Sequence, residues 1–192
     1  GPEPESQVQI QRNDGEWHVE ETWPSNDIEW TTHDASEWGS LGIVSSSSSI
    51  ILTSNPLESD YHISGLPTFH AQVTANSCNG GQLFVTMSDG TTGLRLGHAT
   101  MDLRYRDGGY EAKSVTPFSS YTMLMQFNPM DVIIPEGHTI QLEITESGED
   151  YLSSTCASAG ITLNGELPLS LPLIDRASSD GRWFEVPPWW EE

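Results

Sequence analysis

The stretch Ile50–Val73, "IILTSNPLESDYHISGLPTFHAQV", decides the fold class. It opens on β-branched and aliphatic residues in "IILTS", halts at "SNPLESD" and resumes as the alternating run "FHAQVTA". Alternation with a period of two is the mark of a strand with one buried face, and Ser, Asn, Pro and Asp between two such runs reverse the chain. Helical periodicity is scarce on either side. Towards the amino terminus, "QVQIQR" and "EWHVEETW" flank "NDG", a signal for a tight hairpin turn. Towards the carboxyl terminus, "QLFVTMS", "ATMDLRYR", "YTMLMQF", "DVIIP", "TIQLEIT" and "LSLPLI" follow, punctuated by "SDGTTG", "RDGG", "TPFSS", "PEGH" and "SGED". Eight or more short strands so bounded predict an all-β sandwich, with the jelly roll the commonest arrangement.

A chain of 192 residues accommodates one such unit. The expected organisation is a sandwich over residues 7–176, interrupted by a long irregular loop at 31–49 and followed by a Trp- and Pro-rich tail or linker at 177–192. Residues 1–6 look like the scar of a cleaved expression tag and are set apart from the fold. The serine run Ser45–Ser49 is expected to be flexible.

Seven Lys and Arg stand against 28 Asp and Glu, a formal charge of −21. Phosphate binding needs clustered cations, so nucleic acid and anionic membrane surfaces are poor partners. The balance fits an extracellular or salt-exposed protein, or ordinary acidic drift, and leaves the compartment open. No serine lies in a G-x-S-x-G elbow; Ser40 in "WGSLG" lacks the setting of a nucleophile. Phosphate-loop, dinucleotide and C-x-x-C patterns are missing from the sequence. His18, His33, His62, His70, His98 and His138 are scattered without ligand spacing, and no D-x-D-x-D-G loop supports calcium, so no metal is expected and calcium stays an outside alternative. Cys78 and Cys156 either form a disulfide or remain two thiols. Trp30 and Trp38 bracket the irregular loop and are the aromatic residues best placed to touch a ligand or a neighbouring domain.

Three of the seven cations, Arg95, Arg104 and Arg106, crowd around "LGHATMDLRYRD" beside His98 and Asp102. On a strand, Met101, Leu103 and Tyr105 would face the core while Asp102, Arg104 and Arg106 formed a charged contact face. His98 and Asp102 would share a face at roughly 13 Å, too far apart for one metal site.

The order of these segments resembles the C-terminal domain of X-Pro dipeptidyl-peptidases, cocaine esterase and the glutaryl and α-amino acid ester hydrolases. "WHVEETWP" is similar to its opening strand, and "IILTSNPLESDYHISGLPTFHAQV" to the strand, Pro-Leu pair, acidic turn and Gly-x-Pro that follow. "LFVTMSD" resembles a strand ending in an acidic residue, and "LGHATMDLRYRD" one that begins at Gly and finishes in Arg-Tyr-Arg. "VIIPEGHTIQLEIT" is similar to the Pro-x-Gly-His turn with its strand, and "LPLSLPLI" to the last strand. The sequence departs at Glu136, Gly137 and Thr139 around His138, and across residues 151–160, which carry Cys156 in place of an Asn-rich pattern.

The resemblance implies a galactose-binding-like jelly roll joined to an α/β-hydrolase domain that owns the Ser-His-Asp triad. No catalytic residue and no cofactor would then belong to this chain. It further implies packing against the catalytic domain, with Trp38, Leu41 or Ile43 of the 31–49 loop helping to wall a substrate pocket, and it leaves room for homo-oligomers. The alternative is a free-standing module for carbohydrate or a surface polymer.

Overall fold

The computed structural model describes residues 8–76, 79–108, 110–146, 148 and 160–175. Among them, fourteen strands follow in chain order. They begin with β1 (Val8–Gln11), β2 (Trp17–Glu20), β3 (Glu29–Asp34), β4 (Ile43–Val44) and β5 (Ile50–Thr53). Then come β6 (Tyr61–Gly65), β7 (Thr68–Ala75), β8 (Gln82–Asp89), β9 (Arg95–Asp102) and β10 (Ser120–Gln126). The last are β11 (Met130–Ile134), β12 (Ile140–Thr145), β13 (Ile161–Asn164) and β14 (Pro168–Leu173).

Two antiparallel sheets form the sandwich. The smaller runs β5-β12-β8-β9. The larger contains eight strands, which the pairing groups into four bent rows: β10 with β11, β6 with β7, β13 with β14, and β3 with β4. Each row breaks where the sequence supplies a bend, as at Leu66-Pro67, Asn128-Pro129 and Gly165. Proline cannot donate to the ladder and Gly165 has a positive φ of 64°, so the pairing lapses and the strand changes direction.

Alternation sets what lies between the sheets. In β12, Ile140, Leu142 and Ile144 are fully buried while Gln141, Glu143 and Thr145 point away. Their counterparts across the sandwich include Phe69, Val73, Met123, Met125 and Leu171, all in one continuous core. Gly97 shows why a glycine opens the run through His98: a Cβ there would meet Met130 Cε at 2.5 Å.

Two local expectations change. Residues 31–34 continue strand β3 rather than beginning a loop, because Thr31 and Thr32 pair with Leu171 and Ser170 of β14. A short 3-10 turn, Ala35–Trp38, and β4 then interrupt the expected loop, and Ser45 and Ser48 bond each other's backbones at 3.0 and 3.2 Å in a turn. The other change is in "DLRYRD". Strand β9 ends at Asp102, whose side chain accepts from the Arg104 N–H at 2.8 Å and caps a 3-10 turn over Leu103–Tyr105. Leu103 is thereby driven fully into the core, and the two arginines lie on a turn and not on a strand face.

Candidate functional site

The residues nominated from sequence separate into three groups. Trp30 and Ile43 lie on the outer surface of the larger sheet, opposite Pro172 and Thr162, and are 55% and 53% exposed. Trp38 and Leu41 turn inward instead and pack against the core. Trp38 meets the His33 ring at 5.9 Å, and His33 in turn meets Tyr61 at 5.8 Å. Burial lowers the His33 pKa, since an imidazolium there would lose water on both sides.

Arg104 and Arg106 are committed to their own turn. Arg104 forks onto Asp102, with Nη2 to Oδ2 at 2.6 Å. Arg106 donates to the carbonyls of Leu103 and Ser114 at 3.0 and 3.3 Å and covers the Tyr121 ring at 4.6 Å. The expected contact face is thus a self-satisfied corner that ties the 103–119 segment to the sandwich. Cys78 and Cys156 lie outside the described residues.

A polar constellation that sequence did not nominate sits on the outer side of β6 and β11. His62 Nε2 is 2.8 Å from Asp131 Oδ1, and the Ser64 hydroxyl donates to Asp131 Oδ2 at 2.7 Å. From the hairpin of β1 and β2, His18 Nε2 lies 3.5 Å from Asp131 and 3.6 Å from Glu20. All five residues are buried. Burial opposes the Asp131 charge, yet the hydrogen bonds from His18, His62 and Ser64 outweigh it and hold the carboxyl well below the usual range.

Serine, histidine and aspartate converge here, but in the wrong order for nucleophilic catalysis. A catalytic hydroxyl bonds the imidazole that will take its proton. Ser64 bonds the carboxylate instead, and the group is buried beneath the hairpin. Its work is to fasten that hairpin to the sheet, helped by Asn13. The Asn13 side chain accepts from Ile133 N–H at 2.9 Å and donates to the Ile133 carbonyl at 3.0 Å, as a neighbouring strand would.

A second polar knot joins two stretches noted in the sequence. Asp89 closes "LFVTMSD" and His138 lies in "PEGH"; His138 Nδ1 and Asp89 Oδ2 are 2.8 Å apart. Asp89 also accepts from the Thr92 hydroxyl at 2.7 Å and the Thr91 N–H at 2.9 Å. Burial disfavours its charge, but these donors, with His138, lower its pKa overall. This knot locks the β8–β9 turn against the turn before β12.

One cleft of about 620 Å³ opens beside this framework, lined by Asp27, Glu29, Asp60 and Glu136 with His62 at its wall. Among the described residues, no three His, Cys, Asp or Glu side chains are arranged to hold a metal ion. The cleft is an acidic hollow.

Comparison with known proteins completes the description. Residues 26–171 match the family described as the X-Pro dipeptidyl-peptidase C-terminal non-catalytic domain. No curated protein matches the chain in sequence. Among solved structures, a CocE/NonD family hydrolase from Staphylococcus aureus is similar at TM-score 0.66 and 10% identity, covering 88% of this chain and 41% of that one. An aminopeptidase from a marine sediment Thaumarchaeota archaeon gives 0.59 at 10% identity, covering 85% and 39%. An α-amino acid ester hydrolase gives 0.53 at 12% identity, covering 86% and 36%. The chain therefore spans about two fifths of the length of the solved structures it resembles.

Proposed function

Because this chain belongs to the X-Pro dipeptidyl-peptidase C-terminal non-catalytic domain family, we propose that it serves a serine hydrolase as its structural partner domain. The parent enzyme would cleave peptide, amide or ester bonds with a triad on its own α/β-hydrolase domain. The sandwich supports that domain and shapes the surroundings of the pocket.

The observation that carries this reading is the wiring of Ser64, His62 and Asp131. Their hydrogen bonds fasten a hairpin and place the Ser64 hydroxyl on the Asp131 carboxylate, not on an imidazole. Of the residues expected to wall a pocket, Ile43 is presented outward whereas Trp38 and Leu41 are spent on the core; Trp30, expected to touch a ligand or a neighbouring domain, is also presented outward. Of the two tryptophans that bracket the loop, a free-standing carbohydrate module would have Trp30 at its surface without Trp38.

The test is a pair of assays. The isolated chain, given a proline dipeptide anilide or a simple ester, is expected to show no turnover above background, and the longer native protein is expected to hydrolyse one of them. Turnover by the isolated chain that disappears on Ser64→Ala would overturn the reading.

A further inference from the structure

The outer surface of the larger sheet has two halves with different fates. Over β6 and β11, the outward residues His62, Ser64 and Asp131 are covered by the chain's own hairpin. Over β7, β10, β13 and the first part of β14, nothing among the described residues lies on the sheet. The outward positions there pair in register as Thr74 with Ser120, Gln72 with Thr122, and His70 with Leu124. Thr162 and Thr32 extend the same surface towards the β4 and β3 edge.

We propose that this bare half is the docking face for the hydrolase domain of the longer native protein, an inference that rests on the family reading above.

Charge is the first ground. In a chain with 28 carboxylates and seven cations, no Lys or Arg lies on β7, β10, β13 or β14, and the carboxylates nearest the face are Asp34, the last residue of β3, and Glu166, in the turn between β13 and β14. Asp34 is itself occupied by the N–H groups of Ser36 and Leu167 at 3.0 and 2.8 Å. Solvent-facing surfaces of acidic proteins carry the charges that keep them soluble, while the centres of protein interfaces are depleted of them.

The polar groups are the second ground. Thr32 and Ser170 hydroxyls are 2.9 Å apart, Asn164 Nδ2 donates to Thr74 Oγ1 at 2.9 Å, and Thr74 and Ser120 hydroxyls are 3.3 Å apart. Polar atoms that already bond one another lose little when water is removed, so the face can be covered at small desolvation cost. Trp30, Ile43 and Leu124 stand exposed upon it as apolar anchors. A shallow hollow of about 360 Å³ between His70, Gln72, Thr122 and Pro168, with Glu166 at its wall, offers relief for an inserted side chain.

Area selects the occupant. Four rows spaced ~4.8 Å apart, each contributing about six residues at ~3.3 Å, give a face of roughly 400 Å². A partner free in solution commonly needs about 800 Å² on each side, whereas domains of one chain pack through about 600–1,500 Å² in total. Covalent linkage supplies the effective concentration that the small area lacks. The hairpin on the adjoining half shows that this same sheet surface already receives preceding chain.

Thiol labelling of Thr122→Cys tests the proposal, with Glu143→Cys on the outer side of the smaller sheet as the exposed reference and the unsubstituted protein as background. In the isolated chain both new thiols should react at similar rates. In the longer native protein, labelling at position 122 should slow at least tenfold while position 143 is unchanged. Equal rates at 122 in both forms, with hydrolase activity present, would overturn the docking face and leave the family reading intact. Protection in the isolated chain that grows with its concentration, or on adding a neutral polysaccharide, would reassign the face to a second copy or to carbohydrate and overturn the proposal. A longer protein without hydrolase activity would overturn the family-based reading itself, whatever the labelling shows.

Discussion

Two carboxylates are hidden almost equally well in this sandwich, and they titrate in opposite directions. Asp131 on β11 is 6% exposed, and Glu146, one residue past β12, is 1% exposed. Burial penalises the charge of both. At Asp131, His18, His62 and Ser64 donate to the carboxylate and push its pKa down. At Glu146, no side chain among the described residues donates to the carboxylate, and burial, opposed by the nearby Ser46 backbone, pushes the pKa up to about 7. The depth of a carboxylate sets the penalty; its donors decide which protonation state the fold prefers.

The comparison is broken most severely at its paired side. Asp131→Ala should cost about 3 kcal/mol or more at pH 7, because His18, His62 and Ser64 lose their common acceptor. Denaturant unfolding measures the loss, and hydrogen exchange should show residues 8–20 opening first. A cost under 1 kcal/mol would mean that the hairpin is held by something else.

At the unpaired side the sign reverses. A folded pKa raised above the unfolded value makes stability greatest below about pH 4.5 and erodes it as pH climbs to about 7. Glu146→Gln should therefore stabilise the protein by up to about 3 kcal/mol at pH 8 and by almost nothing at pH 4. A pH-independent effect would contradict the assignment.

Asp89→Asn weakens a smaller paired site and should cost roughly 1–2 kcal/mol at pH 7. With a depressed folded pKa, that contribution is present above the unfolded value of 3.8 and fades as pH falls through the folded one. The gap between variant and parent should thus narrow at pH 3. Arg104→Ala is the smallest expected effect, at or below about 0.5 kcal/mol, since its side of the ion pair with Asp102 is exposed to water. A thermal shift much larger than that would show that Arg104 supports the segment through packing.

Much of the sandwich was legible because one-sided burial writes itself into period-two alternation, as in "TIQLEIT" and "QLFVTMS". Strand β3, "EWTTHD", was not, since an edge strand with exposed Trp30 and Thr32 carries little apolar contrast. The β9 strand was read too long because Leu103 is buried as alternation predicts, but through a turn capped by Asp102. The His62–Asp131 cluster escaped for a deeper reason. His62 and Ser64 flank the inward Ile63 and look solvent-facing; what covers them arrives from His18 and Glu20, more than forty residues earlier. Local pattern records which side of a strand a residue takes, and carries no record of what later lies on top.

The amide of Asn13 has a further consequence. By satisfying both backbone groups of Ile133, it denies the outer edge of β11 to any other strand. If the first twenty residues were trimmed away, that edge would become an open template beside the newly bared side chains of Asp131 and His62. Such a shortened chain should lose solubility before it loses its core, assembling strand to strand into polymers.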